Sequence, residues 1–99
     1  MTMSQPKVTN EDITRAIVKT DYVTLPDGRT TICMLTLDNE FTVRGESSCV
    51  CAENFNAALG RDIALEDARR KVWPLLGFRL ADYLKRKASH DFWSRLAEG

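Results

Sequence analysis

The sequence predicts an α+β domain, ordered as a short N-terminal helix, a three-stranded antiparallel β-meander, a long Pro-kinked helix and a short C-terminal helix. Two observations carry this expectation. Residues 22–44 are β-branched and apolar runs separated by turn signals, and residues 62–83 carry apolar side chains at helical spacing. Ninety-nine residues fit one domain, 1–99, with residues 1–9 polar and expected to fray.

Asn10 is placed to cap the first helix, with Glu11 and Asp12 in the turn where the helix dipole favours acids. Ile13, Ala16 and Ile17 give its apolar face, and the helix is expected to end near Thr20. Tyr22 to Leu25 reads as strand, followed by a turn at Pro26-Asp27-Gly28. Thr30 to Leu37, TTICMLTL, reads as a strand buried on both faces. Asp38-Asn39-Glu40 turns the chain into Phe41 to Arg44, with Phe41 and Val43 on one face, and the chain is expected to leave the sheet at Gly45.

Ala52 to Leu59 is expected to form a short helix closed by Gly60 as C-cap. The long helix then starts near Asp62, with an apolar stripe of Ile63, Ala64, Ala68, Val72, Leu75, Leu76, Leu80 and Tyr83, and an i, i+4 ion pair from Glu66 to Arg70. Pro74 predicts a kink or short break, and Gly77 either lets a second backbone approach or weakens the helix further. Ser89 is placed to cap a final helix in which Phe92, Trp93 and Leu96 pack back on the body.

Composition excludes several classes. No apolar run approaches the ~20 residues of a membrane helix, and the N-terminus lacks the zones of a signal peptide, so a cytoplasmic protein is expected. Net charge is zero, with five basic and eight acidic groups in residues 1–60 and nine basic and six acidic in residues 61–99. That balance argues against long nucleic acid as a partner, while leaving a basic helix able to hold one or two phosphates or to dock on an acidic half of a second subunit. Cys33, Cys49 and Cys51 lack the paired spacing of a zinc site and read as reduced thiols, without a metal or other cofactor.

The usual enzyme signatures are absent, and nothing in the sequence orients the single histidine, His90, as a general base; no catalytic residue is assigned. The basic run Arg69-Arg70-Lys71 is better suited to a ligand. Consecutive helical residues fan over about 200°, so the three cannot face one ligand together. Arg69 lies four residues before Trp73, an arrangement in which a guanidinium holds phosphate and an indole stacks on a base. The alternative is a core Trp73 on a solvated basic helix. Ser47 and Ser48, at a strand end, either donate hydroxyls to a ligand or satisfy a turn. Phe55, Phe78 and Tyr83 carry the same choice between ligand surface and packing, and Phe41 is counted among the ligand candidates.

An ordered set of residues resembles a known family. It runs through Thr30-Thr31-x-Cys33, Asn39-x-Phe41-x-Val43, Gly45-Glu46-Ser47, Asn54-Phe55 and Gly60-Arg61-x-Ile63-Ala64, then Ala68-x-x-Lys71-x-Trp73-x-Leu75-x-Gly77-Phe78-x-Leu80. The set is similar to the small tailed-phage proteins of the N-four gene-forty-nine type, over about residues 20–80. Through that group the chain also resembles the Thoeris anti-defence sponges, which bind cyclic ADP-ribose-type signals, with some members binding cyclic di- or trinucleotides. The resemblance implies a non-catalytic homo-oligomer that sequesters a cyclic nucleotide-type signal in pockets at a subunit interface. It assigns Arg69, and after it Arg70, to the ligand's phosphate and Ser48 to a polar contact. One position departs from the sponges: a second basic contact, one turn earlier, falls at Leu65. The rival reading from a different class is a phage interaction module that inhibits a host protein or serves assembly.

Overall fold

A computed structural model describes the backbone of residues 7–98 and the side chains of residues 7–88. The order is α1 (Asn10–Ala16), β1 (Ile17–Thr24), β2 (Thr30–Leu37), β3 (Thr42–Ser48), a 3-10 turn (Ala52–Asn54) and α2 (Ala57–Glu98). The sheet is an antiparallel meander in the order β1-β2-β3, with β2 central. The α+β class and the meander are as expected; several boundaries are not.

Helix α1 is capped by Thr9, not Asn10. Thr9 Oγ1 accepts from Asp12 N–H at 3.2 Å, and Asp12 Oδ2 accepts from Thr9 N–H at 2.9 Å, a reciprocal capping box. The helix ends at Ala16 rather than near Thr20. From Ile17 onward the β-branched residues pair with β2, so tertiary pairing overrides the helical spacing of Ile17. The turn at residues 26–28 forms as expected: Gly28 has φ +70°, and Asp27 Oδ1 accepts from Arg29 and Thr30 N–H, each at 2.9 Å.

Strand β2 is buried on one face only. Thr31, Cys33, Leu35 and Leu37 are covered by α2, whereas Ile32, Met34 and Thr36 on the opposite face are half-buried. The expectation of burial on both faces fails because, among the described residues, a second layer lies on only one side of the sheet. Burial pushes the Cys33 thiol above its ordinary pKa, in keeping with a reduced packing residue.

Strand β3 continues through Gly45 to Ser48 instead of leaving the sheet at Gly45. Here α2 closes on the sheet: Gly45 faces the backbone of Ala64 and Ala68. The helix presents Ala64, Ala68, Val72 and Leu76, an i, i+4 row, to the buried side of β2 and β3. This row is narrower than the expected stripe, since Ile63, Leu75 and Tyr83 are exposed.

The helix expected at Ala52–Leu59 is a single 3-10 turn, and Gly60 is inside α2 rather than a C-cap. Asn56 caps α2, its Oδ1 accepting from Leu59 N–H at 3.0 Å, so the helix starts at Ala57 and not Asp62. The helical assignment then runs without a break past Pro74 to Glu98. Pro74 is exposed, so water can satisfy the Arg70 carbonyl that has lost its donor. Among the described residues Gly77 meets no neighbour where a side chain would stand, so it serves no close approach to them. The expected separate C-terminal helix is continuous with α2. The proposed packing of Phe92, Trp93 and Leu96, the Ser89 cap and the setting of His90 lie outside the described side chains, as do residues 1–6 of the expected frayed segment.

Two α2 side chains hold the outer edge of β3. Asp67 Oδ2 accepts from Glu46 N–H at 3.0 Å, and Lys71 Nζ donates to the Arg44 carbonyl at 2.8 Å. The Glu46 N–H, with help from Arg70 and Lys71, holds the Asp67 carboxyl below its ordinary pKa; Thr9 does the same for Asp12, and Thr30 for Asp27. Carboxyls depressed in this way stabilise the fold fully above their unfolded pKa, about 4, and lose that contribution as pH falls through the folded value. Unfolding free energy is therefore expected to be flat from neutral pH to about 5 and to fall below about pH 4. Asp67→Asn, which keeps an acceptor but not the charge, should shallow the fall in an acid titration monitored by chemical denaturation. An identical acid slope in both proteins would exclude this role for Asp67.

Candidate functional site

The expected ligand residues occupy three separate depressions. Arg69, Arg70 and Trp73 line a cleft of about 480 Å³ with Asn10, Leu65 and Glu66. Ser47 and Ser48 line a smaller cavity of about 170 Å³, with Arg29, Asn54, Phe55 and Gly60. Phe41 lines a third, of about 290 Å³, beside Leu75, Phe78 and Arg79. The spacing along α2 keeps them apart: nine residues separate Gly60 from Arg69, about 14 Å of helix.

In the first cleft Arg69 crosses to α1. Its Nη2 donates to Asn10 Oδ1 at 2.8 Å, to Thr14 Oγ1 at 3.0 Å and to the Asn10 carbonyl at 3.4 Å. All three acceptors are neutral. Among the described residues no carboxylate pairs with Arg69 and none bonds to its Nε or Nη1. The guanidinium is thus held in place without a carboxylate at ion-pair distance among the described residues, although Asp62 and Glu66 also line the cleft, an arrangement suited to an anion.

Arg70 is differently placed. It pairs with Asp67 at 3.3 Å and with Glu66 at 3.9 Å, the latter being the expected i, i+4 contact, so an incoming anion must compete with two carboxylates. Trp73 is neither core nor free: the residue is 38% exposed and lines the same cleft. Leu65 is half-buried there and supplies an apolar wall.

The Ser47/Ser48 cavity has its own chemistry. Ser48 Oγ lies 3.1 Å from Thr30 Oγ1, which donates to Asp27 Oδ2 at 2.6 Å. Arg29 Nη1 donates to the Cys49 and Val50 carbonyls at 3.3 and 3.4 Å, fixing the chain after β3. Cys49 Sγ donates to the Cys51 carbonyl at 3.1 Å, a local turn contact. Thr31 Oγ1, behind Gly60, is buried without a hydrogen-bond partner among the described residues.

A fourth cleft, of about 420 Å³, lies between α1 and α2 and holds none of the expected residues. Sequence reasoning also missed the Arg79–Asp38 fork, with bonds of 2.9 and 3.2 Å, that ties α2 to the β2–β3 turn. No sequence signal marks it, because 41 positions separate the partners. Among the described residues no helix is long and apolar enough to cross a membrane.

No curated protein and no solved structure matches the chain. A family model does, over residues 8–84, which takes in α1, the whole sheet and α2 as far as Leu84. The phage-protein resemblance carried by the Gly-Glu-Ser strand end and the Lys71-x-Trp73 helix is thereby established, and the chain belongs to the Phage protein (N4 Gp49/phage Sf6 gene 66) family.

Proposed function

We propose that this phage protein counters bacterial immunity in the cytoplasm of the infected host, by binding a cyclic nucleotide or cyclic ADP-ribose-type signal and withholding it intact. The observation that carries this reading is Arg69, a guanidinium anchored by neutral acceptors beside a half-exposed Trp73 with two nitrogens to spare. Phosphate suits the guanidinium, and a base suits the indole. Sequestration needs no catalytic group, only affinity near −12 kcal/mol if the signal is present at about nanomolar levels.

The functional unit in this reading is a homo-oligomer. The radius of gyration is 19.3 Å, against about 13 Å for a compact chain of this length. Among the described residues the last buried one of α2 is Leu76, and beyond it Phe78, Tyr83 and Leu84 are exposed. The same exposed side chains also support a second reading, a module that docks on a host or phage protein.

The two readings separate in one experiment. The protein is mixed with a panel of cyclic nucleotides and cyclic ADP-ribose, desalted and heat-denatured, and the released small molecules are identified by mass spectrometry. Release of one intact panel member is expected. Altered nucleotide would indicate an enzyme, and retention of none would favour the docking module.

A further inference from the structure

The two free edges of the sheet are finished differently. In the β2–β3 ladder the Leu37 N–H bonds to the Phe41 carbonyl and Cys49 N–H to the Arg29 carbonyl. Antiparallel alternation therefore turns odd-numbered β3 residues toward β2 and even-numbered ones outward. The outward groups of Arg44 and Glu46 are the ones that Lys71 and Asp67 occupy. That edge is closed by α2.

The β1 edge has no such cover. Leu25 N–H bonds to the Thr30 carbonyl, and the register pairs Val23 with Ile32, Asp21 with Met34 and Lys19 with Thr36. Odd-numbered residues thus face β2, and Thr20, Tyr22 and Thr24 turn their N–H and C=O groups outward. Among the described residues no side chain bonds to those groups, and Val18, Tyr22 and Val23 are exposed large hydrophobics on the same strand. Past the register shift between Ile17 and Lys19, the edge from Lys19 to Thr24 is regular, and left in this state it is a template for another strand.

We infer that β1 is an interface with a second copy of this chain, the two strands pairing antiparallel about Thr20 to make one six-stranded sheet. The charges on the strand select the partner and the register. Centring the two-fold on Thr20 makes Thr20–Thr20 the central hydrogen-bonded pair, as its outward groups require, with the register shift between Ile17 and Lys19 falling at Val18, opposite Tyr22. It sets Lys19 of each strand directly opposite Asp21 of the other. A register shift of two residues in either direction opposes Lys19 to Lys19 or Asp21 to Asp21, and a shift of one sets outward backbone groups against inward ones. Within one chain Lys19 and Asp21 already stand on one face, 3.8 Å apart. Pairing converts that contact into a four-charge cluster across the two-fold.

This interface stands apart from the ligand reading, and the two fail separately. Lys19→Asp gives a strand with two acids, and Asp21→Lys gives one with two bases. Each should lose self-association at β1, with the mass by analytical ultracentrifugation halved relative to wild type. An equimolar mixture of the two should regain it, because acids then oppose bases. Amide hydrogen exchange supplies the local readout: Thr20 N–H should be protected in wild type, exchange at least 10-fold faster in each variant and be protected again in the mixture. A monomeric wild type, unchanged mass in both variants or a fast-exchanging Thr20 amide in wild type would overturn the inference. An oligomer built only through α2 gives the last two results and leaves signal binding untouched.

Discussion

Gly45→Ala is expected to lower the melting temperature by about 10–20 °C, a cost of roughly 2–3 kcal/mol for overpacking in a domain of this size. A Cβ on Gly45 would stand 2.7 Å from the Ala68 Cα and closer still to the Ala68 nitrogen and the Ala64 carbonyl oxygen. These are backbone atoms of α2, so no side-chain rotamer can relieve the contact. The helix must lift from β3. Lifting it opens the row of Ala64, Ala68, Val72 and Leu76, and strains the Asp67 and Lys71 contacts on the β3 edge. Gly45→Val should leave little folded protein. Gly77→Ala is the matched control, since nothing lies within 4 Å of that position and helix propensity alone favours alanine by about 0.5–1 kcal/mol. Thermal unfolding by circular dichroism reads all three, and a Gly45→Ala melting point within 3 °C of wild type would contradict the close approach.

The same glycine shows how far the sequence could be read. The meander was legible because β-branched runs and the Pro26-Asp27-Gly28 turn act locally, and β2 was placed to the residue. The role of Gly45 was not. A glycine in a strand signals either an exit or a close approach, and only the partner helix, 19 to 23 positions later, decides between them. Ile17 failed for a similar reason, since its spacing suits helix while its pairing with Leu37 suits strand. The site was legible in part. The i, i+4 relation put Arg69 and Trp73 together, as they stand, and the pairing of Arg70 with Glu66 was visible at the same range. That Arg69 is fixed by Asn10 and Thr14 was invisible, because those contacts span 55 to 59 positions. Ser48 was grouped with Arg69 by resemblance, and Ser47 and Phe41 were added as candidates, yet the fold spreads all three over other depressions of the same chain.

Arg69→Ala is expected to weaken binding of the panel's best signal nucleotide at least 30-fold, the loss of a charge-assisted contact of about 2 kcal/mol or more. Because Arg69 also latches α2 to α1 through Asn10 and Thr14, the same change should cost about 1 kcal/mol of stability. The two effects need separating, since loosened helices alone can blunt a cleft. Thr14→Val does this: it removes the 3.0 Å acceptor, keeps the guanidinium, and Thr14 does not line the cleft. If the guanidinium binds the ligand, Thr14→Val should share part of the stability loss while retaining affinity within about 3-fold, a difference of less than 1 kcal/mol. Arg69→Lys should fall between, because an ammonium keeps the charge but cannot reach phosphate with a planar fork. Isothermal titration calorimetry at two salt concentrations gives the affinities, and added salt should weaken wild type more than Arg69→Ala. Equal loss in Arg69→Ala and Thr14→Val would make Arg69 a structural latch only. Wild-type affinity in Arg69→Ala would move the phosphate elsewhere, with Arg29 beside Ser48 the next basic side chain to test.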